Sequence, residues 1–73
     1  MLRLSDTHAG ETCTIVWLLG QAGDWLHSQL NFTEEDEIRI VENLGDGGMI
    51  VRHQEHTYAL SPEIINAVRV SLS

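Results

Sequence analysis

The sequence predicts one small, mainly β domain, a barrel of about five short strands with a short inserted helix. Short segments rich in β-branched residues alternate with polar, glycine-containing turns, and only one segment has helical spacing of leucines. A chain of 73 residues is long enough for one domain, which we place at residues 1–73. So short a chain buries only about 60% of the surface that its unfolded form exposes. We therefore expect a thin core that a closed sheet or a partner helps to stabilise.

The first long strand is predicted at residues 12–19, where TCTIVWLL is rich in β-branched and aromatic residues. After a loop, Asp24 can cap a helix, and Leu26 and Leu30 lie one turn apart on one face. The spacing therefore predicts a helix of about two turns from Asp24 to Leu30. Asn31 suits the left-handed residue that commonly follows the end of a helix.

The middle of the chain is predicted to form a strand between two turns. Residues 33–36 are a polar turn, and apolar and polar residues alternate over residues 37–42. The next segment, NLGDGG at residues 43–48, needs positive φ at some position. It lacks the Lys and Ser/Thr of a phosphate-binding loop, so a hairpin connection is favoured over a nucleotide site.

Residues 49–60 are predicted to form a hairpin with a two-residue turn at Gln54 and Glu55. This register pairs His53 with His56 and places Met49, Val51, Tyr58 and Leu60 on one face. The chain then ends with a one-turn helix and a last strand, predicted at residues 62–66 and 67–70.

The charge of the chain excludes several functions. Four basic against eleven acidic residues give a formal net charge of −7, which opposes nucleic acid and anionic membrane surfaces as primary partners. No apolar run approaches the ~20 residues that cross a bilayer, and the first ten residues have no signal-peptide core. We therefore expect a cytoplasmic protein. The single cysteine, Cys13, fits a reducing compartment and is expected to be buried.

Spaced apolar positions along nearly the whole chain carry a family resemblance. They are Gly10-Glu11, Ile15, Leu26, Leu30-Asn31-Phe32, Ile38-Arg39-Ile40-Val41, Met49-Ile50-Val51, Tyr58-Ala59-Leu60, Val68 and Val70. This succession resembles the family of ferrous iron transport protein A (FeoA). The resemblance implies an SH3-like barrel and a small cytosolic accessory protein that works with a GTPase-bearing permease for ferrous iron. In related domains it implies a module of metal-dependent repressors, and in neither case catalysis of its own.

The chain departs from the family pattern at several glycines. Asn31, Glu35 and Glu55 stand where family members typically carry glycine, and the loop at residues 45–48 lacks a common proline. Asn31 tolerates the left-handed conformation, whereas Glu35 would be strained in it. We therefore expect the turn around Glu35 to be reshaped.

An excess of apolar residues in the first strand predicts an interaction surface. Trp17 shares one face with Ile15 and Leu19, while Val16 and Leu18 occupy the other. Because a barrel has one inside, an unbent strand leaves an apolar patch outside, which is typical of partner binding or self-association. The resemblance makes an iron permease the expected partner, and a homo-oligomer through residues 12–19 is the alternative. The predicted partner-binding residues are Trp17, Trp25, Leu26, Gln29 and Leu30.

A metal site is a further alternative. As opposed residues of a two-residue hairpin, His53 and His56 would place their Cβ atoms ~5 Å apart, close enough to share Fe²⁺ or Zn²⁺ in a sensor or carrier. Two ligands make a weak site, however. The acidic run at residues 34–37 lacks calcium-loop spacing, so a solvated turn is favoured over a contact with a basic partner. No serine, histidine and aspartate arrangement indicates an enzyme.

Overall fold

The computed structural model describes residues 1–73 and contains six antiparallel strands, two α-helices and one 3-10 turn. In chain order these are β1 (Leu2–Arg3), the 3-10 turn (Leu4–Asp6), β2 (Thr12–Leu18), α1 (Gly20–Leu30), β3 (Glu37–Asn43), β4 (Met49–His53), β5 (His56–Leu60), α2 (Pro62–Ile65) and β6 (Val68–Leu72). The predicted mainly β class is confirmed. The two-residue β1 raises the number of strands from the five expected to six.

The six strands form one sheet in the order β1-β6-β2-β3-β4-β5. The molecule measures 25 × 25 × 24 Å, and strands β2 to β6 all contribute side chains to a single apolar cluster, so the sheet curls around one core. Neither helix is long and apolar enough to cross a membrane. The core residues are Leu4, Cys13, Ile15, Leu26, Phe32, Ile38, Ile40, Met49, Val51, Leu60, Ile65, Val68 and Val70.

The helix α1 begins at Gly20, so the predicted start at Asp24 and the loop before it are wrong. The Gly23 N–H donates to the Leu19 carbonyl at 2.9 Å, and Gly23 lies directly against the backbone of Leu18. Close packing on β2 thus overrides the low helix propensity of glycine. At the other end the prediction is confirmed, because Asn31 is left-handed, with φ 59° and ψ 27°.

Positive φ is found at three positions where the family resemblance leads us to expect glycine but this chain has another residue. Asn31, Glu35 and Glu55 have φ values of 59°, 77° and 69°. The expected reshaping at Glu35 is therefore wrong, since the turn keeps a backbone that glycine would adopt without strain. The two-residue hairpin turn consists of Gln54, with φ 48°, and Glu55. The predicted hairpin register is confirmed, since Met49 pairs with Leu60 at one end and His53 with His56 at the other.

Candidate partner-binding surface

A β-bulge in β2 decides which apolar side chains of this strand face outward. Ile15 lies opposite Val70, whereas Trp17 lies opposite Arg69, so Val16 is an extra residue in the pairing with β6. A bulge reverses the alternation of side chains along a strand. Ile15 is therefore buried and Trp17 is 49% exposed. The bulge therefore places one of the surplus apolar side chains of β2, that of Trp17, on the outer surface of the barrel.

The helix α1 presents a second exposed tryptophan. Trp25 is 46% exposed, and Gln29, one turn later on the same face, is also exposed. Leu19, at the junction of β2 and α1, is 39% exposed. Four of the exposed residues of this junction and helix are hereafter called the tryptophan surface: Trp17, Leu19, Trp25 and Gln29.

Of the two leucines predicted to contact a partner, Leu26 lies in the interior and Leu30 is partly exposed. Leu26 is completely buried in the core, because the face of α1 that carries it and Gly23 packs toward the sheet. Its assignment to a partner surface is therefore wrong. Leu30 is half-buried and packs against the core, so only part of its side chain faces solvent.

An acidic groove lies beside α1. It has a volume of about 260 Å³ and is lined by Leu18, Gly23, Asp24, His27, Thr33 and Glu34. A second groove of about 520 Å³ is lined by Thr14, Ile15, Val16, Glu34 and Glu35. Asp24, Glu34 and Glu35 give both grooves negative edges, which suit a basic side chain of a partner. Sequence reasoning missed these grooves, although the spacing of Asp24 and His27 by three residues was an available signal.

The third carboxylate of the acidic turn faces inward to a buried histidine. His53 Nε2 lies 2.8 Å from Asp36 Oδ2, and the His53 ring stacks on Phe32 with centroids 4.1 Å apart. The backbone N–H of Thr33 donates to the same carboxylate oxygen at 3.0 Å. Burial acts to raise the pKa of Asp36, but the hydrogen bonds from His53 and Thr33 outweigh it and lower that pKa below its usual value. This carboxylate therefore ties the acidic turn to β4.

The two hairpin histidines are opposed as predicted, but their surroundings differ. His53 is 1% exposed, whereas His56 is exposed at the hairpin tip. Because His53 Nε2 is bonded to Asp36, a metal ion shared with His56 would need either Nδ1 or displacement of the carboxylate. No three His, Cys, Asp or Glu side chains are arranged to hold a metal ion. Fe²⁺ or Zn²⁺ binding at the pair stays a prediction.

The cysteine lies within the core, as predicted. Cys13 has no exposed surface, and its burial, followed by the charge of Glu11, raises the pKa of its thiol. A buried, protonated thiol behaves as a small apolar side chain.

Comparison with known proteins adds two solved structures. No family model and no curated protein matches the sequence. The crystal structure of an iron uptake regulatory protein (FeoA) superposes with a TM-score of 0.84 at 23% identity, covering 99% of this chain and 96% of that one. This chain has the FeoA fold. An NMR structure of a FeoA-like protein from Clostridium acetobutylicum gives a TM-score of 0.82 at 11% identity, covering 97% and 85%.

The FeoA fold confirms the SH3-like barrel predicted from the sequence. The two neighbours also support the resemblance to the FeoA family that the spaced apolar positions carry. At such low identities the likeness establishes architecture, and the function has to be argued from the surface of this chain.

Proposed function

We propose that this chain is a cytosolic accessory or regulatory protein of ferrous iron uptake that binds the cytosolic part of a GTPase-type iron permease. The observation that carries the proposal is the whole-length match to a structure described as an iron uptake regulatory protein, over 99% of this chain and 96% of that one. The role is binding rather than catalysis. The hydrogen bond between the buried His53 and the half-buried Asp36 holds the acidic turn in place.

The tryptophan surface is the contact that this proposal assigns to the permease. Trp17 and Trp25 are each about half exposed, and buried tryptophans are the residues that most often dominate the energy of a protein interface. The acidic groove beside α1 adds a charge preference for basic residues on the partner. Such complementarity mainly sets the rate of association and the choice of partner.

A binding titration with a matched control tests the assignment. The purified cytosolic domain of the permease from the same organism is titrated into labelled wild-type chain, Trp25→Ser and Leu72→Ser. Leu72 is 51% exposed, close to the 46% of Trp25, but pairs with Cys13 at the opposite end of β2 from Trp17. We expect Trp25→Ser to weaken binding by about tenfold or more, and Leu72→Ser to change it by less than about twofold.

Three results would overturn the proposal. Absence of binding by the wild-type chain would remove the permease as partner. Binding that Trp25→Ser leaves unchanged would place the contact outside the tryptophan surface, and equal weakening by Trp25→Ser and Leu72→Ser would show that the loss is not specific to this surface.

A metal sensor or carrier is the second candidate function, and the confirmed opposition of His53 and His56 is the observation that favours it. Calorimetric titration with Zn²⁺, and with Fe²⁺ under anaerobic conditions, tests this role. Binding tighter than about millimolar that is lost in His56→Ala would support it. Weaker binding, or binding that His56→Ala leaves unchanged, would exclude this site.

A further inference from the structure

Two arginines lie side by side on the outer face of the sheet. Arg39 on β3 is directly opposite Arg52 on β4, and both side chains are exposed. Neither forms an ion pair with a carboxylate, although the chain has eleven acidic residues. Like charges directly opposite each other destabilise a sheet. The fold therefore retains an unfavourable pair without neutralising it.

The other two basic residues form a similar pair but are satisfied within the chain. Arg3 on β1 is opposite Arg69 on β6. The Arg3 Nε donates to Asp6 Oδ2 at 3.5 Å, while Arg69 Nη1 donates to the carbonyls of Asn66 and Val68 at 2.8 and 3.3 Å. This comparison singles out Arg39 and Arg52 as the two arginines that bond neither a carboxylate nor a backbone carbonyl, and Arg3 with Arg69 provides a control of equal charge.

Two threonine hydroxyls flank these arginines, so that the four side chains form a row across four strands. Thr12 lies opposite Arg39 from β2, and Thr57 lies opposite Arg52 from β5. The Arg52 Nη1 donates to Thr57 Oγ1 at 3.5 Å, and no side-chain hydrogen bond engages Arg39. Guanidinium groups bind carboxylates in a bidentate manner, and hydroxyls supply further donors. We call Thr12, Arg39, Arg52 and Thr57 the arginine row.

The surroundings of the arginine row indicate the class of ligand. Neither groove of the molecule includes any of its residues, so the ligand meets an open sheet face and must bring a surface of its own. Exposed Val41 and Ala59 follow on the same strands and offer apolar contact. With a net charge of −7, two free cations suit one or two carboxylates rather than a polyanion such as nucleic acid or a lipid surface.

We infer that the arginine row docks an acidic segment of a partner protein, with the carboxylates of that segment on the two guanidinium groups. The inference goes beyond the proposed role in iron uptake. It depends on residues outside the tryptophan surface and stands or fails independently of the permease.

An NMR titration of ¹⁵N-labelled full-length chain tests the inference. The probe is a synthetic peptide of about 12 residues that carries two Glu, one residue apart, in an otherwise Thr- and Ser-rich sequence, and the same peptide with Gln in place of both Glu is the uncharged control. We expect the acidic peptide to shift the amide signals of the arginine row and the Gln peptide to leave them unchanged. In Arg39→Gln/Arg52→Gln the affinity should fall by about tenfold or more, because each charge-assisted hydrogen bond contributes substantially.

The matched variant Arg3→Gln/Arg69→Gln removes the same two charges and should bind within about twofold of the wild type. Arg39→Gln/Arg52→Gln should also melt at or above the wild-type temperature, because it relieves a repulsion between exposed groups. Equal loss of affinity in both double variants would show that the peptide responds to the net charge of the chain and not to the arginine row. A lower melting temperature of Arg39→Gln/Arg52→Gln would assign the pair a structural role instead.

Two further outcomes would overturn the inference. If inorganic phosphate alone reproduced the shifts at the same concentration, the row would be a small-anion site. If the same signals shifted with protein concentration in the absence of peptide, the occupant would be a second copy of this chain, presenting its acidic turn at residues 34–37.

Discussion

Replacing Gly23 by alanine tests the packing that positions α1. An alanine Cβ at this position would lie 2.5 Å from the Leu18 carbonyl carbon and 3.0 Å from its oxygen. Because ordinary carbon contacts are about 3.5 Å or longer, α1 would have to move away from β2 by roughly 1 Å. The obstacle is backbone, so no side-chain rotation can relieve the clash.

The expected loss of stability follows from two opposing effects. Overpacking costs about 1 to 3 kcal/mol, and a clash with backbone, which cannot rotate away, belongs in the upper part of that range, at about 2 to 3 kcal/mol. The better helix propensity of alanine returns about 1 kcal/mol. We therefore expect Gly23→Ala to lower the free energy of unfolding by about 1 to 2 kcal/mol. In a domain of this size that corresponds to about 5 to 15 °C in melting temperature.

Urea denaturation followed by circular dichroism measures this loss, with Gly45→Ala as the control. A Cβ at Gly45 would meet open space, and its φ lies outside the left-handed region, so alanine there should leave stability unchanged or raise it by up to about 1 kcal/mol. If Gly23→Ala proved as stable as the wild type, the close approach of α1 to β2 would be refuted. A displaced α1 would also move Trp25 and weaken any contact made through the tryptophan surface.

Three further predictions concern buried and strained residues. The pKa of Asp36 is lowered in the folded chain, so the ionised carboxylate stabilises the fold above the unfolded-state pKa of about 4, and this stabilisation is lost as pH falls through the lower, folded-state pKa. Urea denaturation at a series of acidic pH values should show this loss of stability in the wild type and a smaller loss in Asp36→Asn. Glu35 has φ 77°, so in thermal unfolding Glu35→Gly should be more stable by about 0.5 to 1 kcal/mol than Glu35→Gln. The Gln variant is the control because it removes the charge but keeps the Cβ. Equal stability of the two variants would show that the backbone at Glu35 is not strained. Cys13 has no exposed surface, so a thiol reagent should react with it only upon unfolding, and Cys13→Ser should lower the free energy of unfolding by about 1 to 3 kcal/mol; rapid labelling of the native chain would count against its burial.

Much of the fold depended on interactions between residues close in sequence, and these were predictable. The two-residue turn at Gln54 and Glu55 sets the register of the hairpin, because so short a connection allows few alternatives. Asn31 ends α1 because it adopts the left-handed conformation that commonly terminates a helix, which asparagine tolerates better than most residues. Along β3, Ile38 and Ile40 face the core while Arg39 faces solvent, as alternation requires.

Features that depend on contacts between distant segments were decided by the tertiary structure. The bulge at Val16 arises in the pairing of β2 with β6, and it alone determines that Trp17 faces solvent. The partner of Asp36 is seventeen residues away at His53, and the helical start of α1 depends on Gly23 meeting β2. Arg39 meets Arg52 through a β3–β4 pairing that contains a second bulge.

The sequence by itself therefore determined the class of fold and most of its turns, since backbone preferences act locally. The tertiary structure decided which apolar and charged side chains are exposed together, because one extra residue in a strand reverses the face of every residue after it. The candidate surfaces of this chain, with Trp17 and Trp25 on one and Arg39 and Arg52 on the other, follow from that pairing.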